Sequence, residues 1–297
     1  MLHLKDLLGH SRVKMQLHKL LTHHHHHALL FEGPEGVGKG IFARTFARLL
    51  LQSDKEEPLD LQETLPQGKS HIHPMQTIRE FIQVAKQLPF EAPHKVFLIH
   101  DADRMLAVSM HALLKTLEEP ISNSIFLLIT SRPQSLLPTL VSRCFRIPFF
   151  PLKTEEIESY LLSQGRGAQE SRRVALLSHG SVEKAITLSS AHDNLAALTF
   201  DLGPRLLHRD YSLLLEYKDL QNSEETLSYL FYFYRDLNLL KVGADPSLLF
   251  YKDKEKPLRE YLSLPIPSLE ELQEKFYRIH QSLTLHIPLS HALCELL

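Results

Sequence analysis

This chain of 297 residues is predicted to fold as an α/β protein, a parallel sheet with helices on both faces, followed by an all-helical region. Three observations carry that expectation. Apolar runs of strand length alternate with helical spacing from the N-terminus to about Phe150. A glycine-rich turn joins the first of these runs to a long helical pattern. Beyond Leu152 the strand signals fade while helical spacing continues. In a sheet of this kind, ligands sit at the carboxyl ends of the strands.

The elements follow in order. Leu4 to Leu21 holds a short element and an amphipathic helix, with Val13, Leu17, Leu20 and Leu21 on one side. His27 to Glu32 is a buried strand, and Gly40 to Leu51 a helix carrying Ile41, Phe42, Phe46, Leu49 and Leu50. Residues 52–70 are polar, contain Pro58 and Pro66, and read as a loop or insertion. Met75 to Leu88 is helical, Lys95 to His100 is a second buried strand, Ser109 to Glu119 is a helix stopped by Pro120, and Ile125 to Thr130 is a third strand. After Phe150-Pro151 come three short helices, Thr154 to Ser163, Glu170 to Ser178 and Val182 to Ser190, then a further helical segment from about Asp193. Ser268-Leu269-Glu270-Glu271 is a capping box opening a C-terminal helix. The run Tyr229 to Tyr234 is apolar almost all round. It reads as core, or as a helix packed against partner subunits.

The bulk properties exclude several classes. With 43% hydrophobic and 23% charged residues the chain is globular with a proper core. A net charge of -2 is not that of a basic nucleic-acid clamp. The two cysteines, Cys144 and Cys294, form no C-x-x-C pair, so neither structural zinc nor a disulfide framework is expected, which fits a reducing cytoplasm. The N-terminus lacks the apolar core of a signal peptide, and no apolar run is long enough to span a bilayer. The run His23 to His27 admits adventitious metal affinity, but reads better as a solvated loop entering a strand.

The chemistry lies in Gly33-Pro34-Glu35-Gly36-Val37-Gly38-Lys39-Gly40. The loop that cradles a nucleoside triphosphate has the pattern G-x-x-x-x-G-K-(S/T). Gly33, Gly38 and Lys39 fit it, while Gly40 stands where a hydroxyl should bind Mg²⁺. The small residues let backbone N–H groups turn onto phosphate oxygens, and Lys39 adds a point charge. An ATPase also needs a carboxylate at the end of the second strand, where this chain has His100, followed by Asp101, Ala102 and Asp103. Imidazole is a poor Mg²⁺ ligand. Two damaged positions in one coordination shell point away from hydrolysis, and a shifted register in which Asp101 or Asp103 replaces the lost ligand is the alternative.

Further residues resemble a family. Ala112-Leu113-Leu114-Lys115-Thr116-Leu117-Glu118-Glu119-Pro120, Ser131-Arg132-Pro133 and Leu136 to Cys144 are similar to the signature of bacterial clamp-loader subunits of the AAA+ class. Leu7-Leu8-Gly9-His10 resembles the family's N-terminal box, with His10 where Gln is usual, and Gly180 to Ala185 resembles its second-domain motif. Leu283 to Leu289 loosely resembles its last collar segment. The resemblance is most specific over residues 28–150.

It implies a RecA-like AAA+ domain (1–151), a small helical lid (152–192) and an all-α collar (193–297) that joins five subunits in a ring. The implied partners are gamma/tau-type and delta-type subunits, with the sliding clamp and primed DNA reached through the assembled DNA polymerase III complex. The implied role is a non-hydrolysing subunit that scaffolds the ring and supplies Arg143, of the Ser142-Arg143-Cys144 tripeptide, as an arginine finger to a neighbour's γ-phosphate. No cofactor is certain. ATP or ADP bound weakly in the degenerate loop is compatible with the pattern, Thr130 matches the strand-end position that senses nucleotide, and zinc is not expected because residues 52–95 hold no cysteine. Glu183 occupies the lid position where active subunits carry an Arg. An active gamma/tau-type ATPase and an AAA+ regulator outside replication are the alternatives. Lys115 and Arg132 are compatible with a DNA-facing position and equally with solvated surface.

Overall fold

The computed structural model describes residues 3–22, 26–55, 57–119, 123–210, 212, 216, 223–285 and 287–296. Its centre is a parallel sheet of five strands in the order β2-β3-β4-β1-β5, where β1 is Ala28–Glu32, β2 Leu61–Thr64, β3 Lys95–Ile99, β4 Ser124–Thr130 and β5 Phe145–Pro148. The helices of this part are α1 (Ser11–Thr22), α2 (Lys39–Leu51), α3 (Met75–Ala85), α4 (Ala107–Glu118) and the short α5 (Pro138–Val141).

The strand pleat explains the two cores. Successive side chains point to opposite faces. Leu29 and Phe31 of β1 therefore pack with Leu17 of α1 and Phe42 and Phe46 of α2. Ala28 and Leu30 pack on the other face with Ile78 and Phe81 of α3 and Leu113 and Leu117 of α4. Strands buried on both faces read as continuous apolar runs, which is why β1, β3 and β4 were legible.

Residues 52–70 are not simply a loop, because β2 lies within them and extends the sheet beyond β3. Its Leu-Gln-Glu-Thr is too short and polar to announce itself; the paired edge of β3 recruits it. Buried Asp60 sets its entry by accepting from the backbone N–H groups of Phe90, Glu91 and Ala92 at 2.8–3.0 Å. Strand β5 also lies outside the three expected strands. It ends in Pro148, which only an edge strand tolerates, and it is pinned by Arg146, whose Nε and Nη2 each donate 2.9 Å to the Glu32 carboxylate.

After α6 (Thr154–Ser163) and α7 (Ala168–Leu177), one helix of 26 residues, α8 (Val182–Leu207), runs through the expected break near Ser190. The polar stretch around Ser189 and His192 is a buried face, not an end: Ser189 donates 2.8 Å to Glu170, and His192 Nδ1 lies 2.6 Å from the Tyr229 hydroxyl. Helices α9 (Ser223–Lys241), α10 (Glu255–Glu260), α11 (Leu269–Thr284) and α12 (Leu289–Ala292) follow.

Chain contacts divide the molecule into two compact units, 1–160 with 179–184, and 161–178 with 185–297. The second unit has an aromatic core in which Tyr229, Phe233, Tyr234 and Tyr251 are fully buried. Phe231 and Tyr232, half-exposed on α9, pack against Phe276 and Phe250 of the same unit. The aromatic run therefore serves as core. His23–His25, Pro120 and His286 lie outside the described residues, whereas the His26 ring lies 4.3 Å from that of Phe145 and His27 Nε2 lies 2.8 Å from the Leu117 carbonyl.

Candidate functional site

The glycine-rich loop follows β1 and opens α2 at the carboxyl end of the sheet. Gly33, Gly36 and Gly38 all take positive φ. At two of them space is also decisive. A Cβ at Gly33 would meet the Phe149 carbonyl at 2.3 Å, and one at Gly36 would meet the Ser181 hydroxyl at 2.0 Å. The segment 179–184 thus lies against the loop, and the N–H groups of Val182 and Glu183 donate to the Gly36 carbonyl at 2.9 and 3.2 Å. His10, with φ 53°, reaches the loop from the other side: its Nε2–H donates 2.9 Å to Val37 O and its ring packs edgewise on Phe42 and Phe149.

Lys39 is folded inward. Its Nζ donates to Gly33 O at 2.7 Å, Pro34 O at 2.5 Å and Ser131 Oγ at 3.2 Å. Burial draws its pKa below the ordinary lysine value, against the opposing pull of Asp101, Glu35, Asp103 and Glu183. A phosphate entering here competes with the loop's own carbonyls for the ammonium.

The Mg²⁺ position is built differently from an ATPase site. His100, at the end of β3, lies with Nε2 2.5 Å from Glu63 Oε1, and Arg44 of α2 donates 2.5 Å to Glu63 Oε2. Burial alone would raise the Glu63 carboxyl, but His100 and Arg44 hold its pKa below the ordinary range. His73, wholly buried, donates from Nε2 to the His100 carbonyl at 2.6 Å and fixes the strand end. A Cβ at Gly40 would come 3.4 Å from the His100 ring, an ordinary contact, so position 40 adjoins the imidazole. Asp103 accepts 2.6 Å from Thr130 Oγ1, which in turn accepts from Arg132 N at 3.0 Å. Asp101 stands in a left-handed turn with φ 42°. Magnesium needs several hard oxygens in octahedral array. Both oxygens of Glu63 are engaged, one of Asp103 is, and Gly40 offers none, so the hydroxyl and strand-end ligands of an ATPase site are replaced here and only Asp101 and the second Asp103 oxygen remain as hard donors. Among the described residues no cluster of three or more His, Cys, Asp or Glu could hold a metal ion.

The structure brings Gly33 to Gly40, Asp101, Asp103, Thr130 and Glu183 to one end of the sheet. Sequence reasoning missed Glu63, Arg44, His73, Ser131 and Ser181. Ser131 and Ser181 lie within quoted motifs but were given no role there, and nothing local marks Glu63. Arg143 follows α5, where Nη1 donates 2.8 Å to Thr139 O and Nη2 lies 2.6 Å from Glu118 Oε1. Lys115 and Arg132 are exposed, and no helix of the described residues is long and apolar enough to cross a membrane.

The sheet order and the loop define a P-loop fold of the AAA+ class. A point variant of RuvB from Thermotoga maritima shares that fold at TM-score 0.50 and 18% identity, over 88% of this chain and 89% of that one. Residues 9–153 match the family described as DNA polymerase III, delta subunit. The delta-prime subunit of DNA polymerase III from Bacillus subtilis is 28% identical over 264 residues, 79% of this chain and 78% of the relative. The tau subunit from Salmonella typhimurium is 31% identical over 208 residues, 62% of this chain, which spans only 32% of that relative's length. The chain is thus similar, over most of its length, to subunits of DNA polymerase III of the delta-prime and tau kinds.

Proposed function

We propose that this chain is a non-hydrolysing, delta-prime-type subunit of the replicative clamp loader in the cytoplasm. It scaffolds a ring with gamma/tau-type and delta-type subunits and presents Arg143 to a nucleotide held by a neighbour while a sliding clamp is loaded on primed DNA. One observation carries the first half: at the strand end where an ATPase would hold magnesium, Glu63 is engaged by both Arg44 and His100, and position 40 offers no hydroxyl. Nucleotide held in the loop is weakly bound at most, because Lys39 is already engaged. The second half is supported by the family signature around Arg143. A planar guanidinium stabilises charge on a transferring phosphoryl group, worth about 10³–10⁵ in rate in related switches.

The test is steady-state ATP turnover. The isolated chain is expected to show only background, with and without Mg²⁺. Gly40→Thr alone is expected to stay there, since the new side chain meets His100 and gains no second metal ligand. Robust Mg²⁺-dependent turnover by the unaltered chain would overturn the proposal.

A further inference from the structure

Arg143 is held at two points. The Thr139 carbonyl of its own short helix accepts from Nη1, and Glu118, the last residue of α4, pairs with Nη2 at 2.6 Å. The carbonyls at the C-terminus of α4 add to the attraction for a cation. The pair is not sealed: the arginine side chain is 34% and the glutamate 49% exposed. A guanidinium has five N–H donors, and among the described residues these two are its only acceptors, so one edge remains presented outward. Sequence alone marked the two residues separately, Glu118 in one signature stretch and Arg143 in another, with 24 residues between them.

We propose that Glu118 is a latch on Arg143. It holds the guanidinium against Thr139 while no neighbouring phosphate is present, and yields it to the γ-phosphate of a nucleoside triphosphate on the adjoining subunit. This rests on the reading of Arg143 as a finger acting in trans. The chemistry favours exchange in that direction. A triphosphate brings more negative charge than one carboxylate and takes a guanidinium in the same planar, two-point fashion. A half-exposed pair is weak, with a release cost equivalent to about fivefold or less. The latch therefore biases the resting ring against premature turnover without blocking the stimulated one. Glu118 is a positioning residue, since it acts only through Arg143.

The experiment uses the reconstituted loader, with kcat and KM for ATP measured without and with clamp and primed DNA, for Glu118→Gln, Glu118→Asp, Arg143→Ala and the double variant Glu118→Gln/Arg143→Ala. Glu118→Gln is expected to raise unstimulated kcat about two- to fivefold, leave KM and stimulated kcat unchanged, and so lower the stimulation ratio. Glu118→Asp is expected to behave as the unaltered chain, and the double variant as Arg143→Ala. If Arg143→Ala lowers turnover but Glu118→Gln is without effect, or acts equally in both arginine backgrounds, the latch is wrong and the finger stands. If Arg143→Ala leaves turnover unchanged in a fully assembled complex, the finger reading fails and the latch with it.

Discussion

At the scale of single residues, half-buried His10 and buried His73 shape the loop end of the sheet, and buried His192 the core of the second unit. His10, His73 and His192 all have pKa values drawn below the ordinary histidine value, with burial the largest cause in each. His73 shows why. Its Nε2–H is committed to the His100 carbonyl, and its buried Nδ1 has no acceptor for a second proton. In the unfolded chain the same rings take up protons near pH 6.5. Below that pH the unfolded state binds more protons than the folded one, so stability rises with pH in this window and falls on acidification. Urea midpoints measured from pH 7.5 down to pH 5.5 are expected to decline, and His73→Gln, which keeps a donor but cannot be protonated, is expected to flatten part of the decline. A midpoint independent of pH over that range would contradict the assignment of these rings as neutral.

At the scale of elements, helix ends and sheet edges carry the local information. The start of α11 is a reciprocal cap, in which Ser268 Oγ accepts from Glu271 N at 3.3 Å and Glu271 Oε2 accepts from Ser268 N at 2.8 Å. Ser268→Ala is expected to cost about 1 kcal/mol in chemical denaturation, and Ser268→Gly a few tenths. Equal costs for the two would indicate that the hydroxyl contributes nothing as a cap. Helices α8 and α9 meet by close approach. A Cβ at Gly203 would come 2.6 Å from the Phe233 ring, and the Tyr234 hydroxyl donates 3.0 Å to the Gly203 carbonyl, just before Pro204. The proline sits inside a continuous helix there, its neighbour's carbonyl bonded to a tyrosine on the adjacent helix.

At the scale of the whole molecule, the two units predict where the chain can be cut. A break at 192/193, the boundary suggested by sequence, falls inside α8 and inside the second unit. It would remove Tyr229 from His192, and the Phe250 carbonyl from the buried Arg173, which donates to it at 3.1 Å. A chain ending at 192 is therefore expected to be cleaved rapidly by protease within 161–178 and 185–192, while the sheet-containing unit, which includes 179–184 and whose two cores are complete without those stretches, resists. Uniform resistance along that fragment would show that this region is ordered without residues 193–297, as a separate lid over 152–192 requires.

The sequence by itself determined the parallel sheet through β1, β3 and β4, the loop Gly33 to Gly40, the α11 cap and the missing hydroxyl at position 40. Each is written in a short stretch, as an apolar run, a spacing or a turn residue, and its physics is local. Tertiary structure alone decided the rest. Strands β2 and β5 are short and partly polar, and form because β3 and β1 offer unpaired backbone. The continuity of α8 depends on Glu170 and Tyr229 burying its polar face. Glu63 meets His100 and Arg44, and Glu118 meets Arg143, only when strands and helices far apart in the chain converge. Such contacts join groups whose separation in sequence carries no period, so no local pattern announces them.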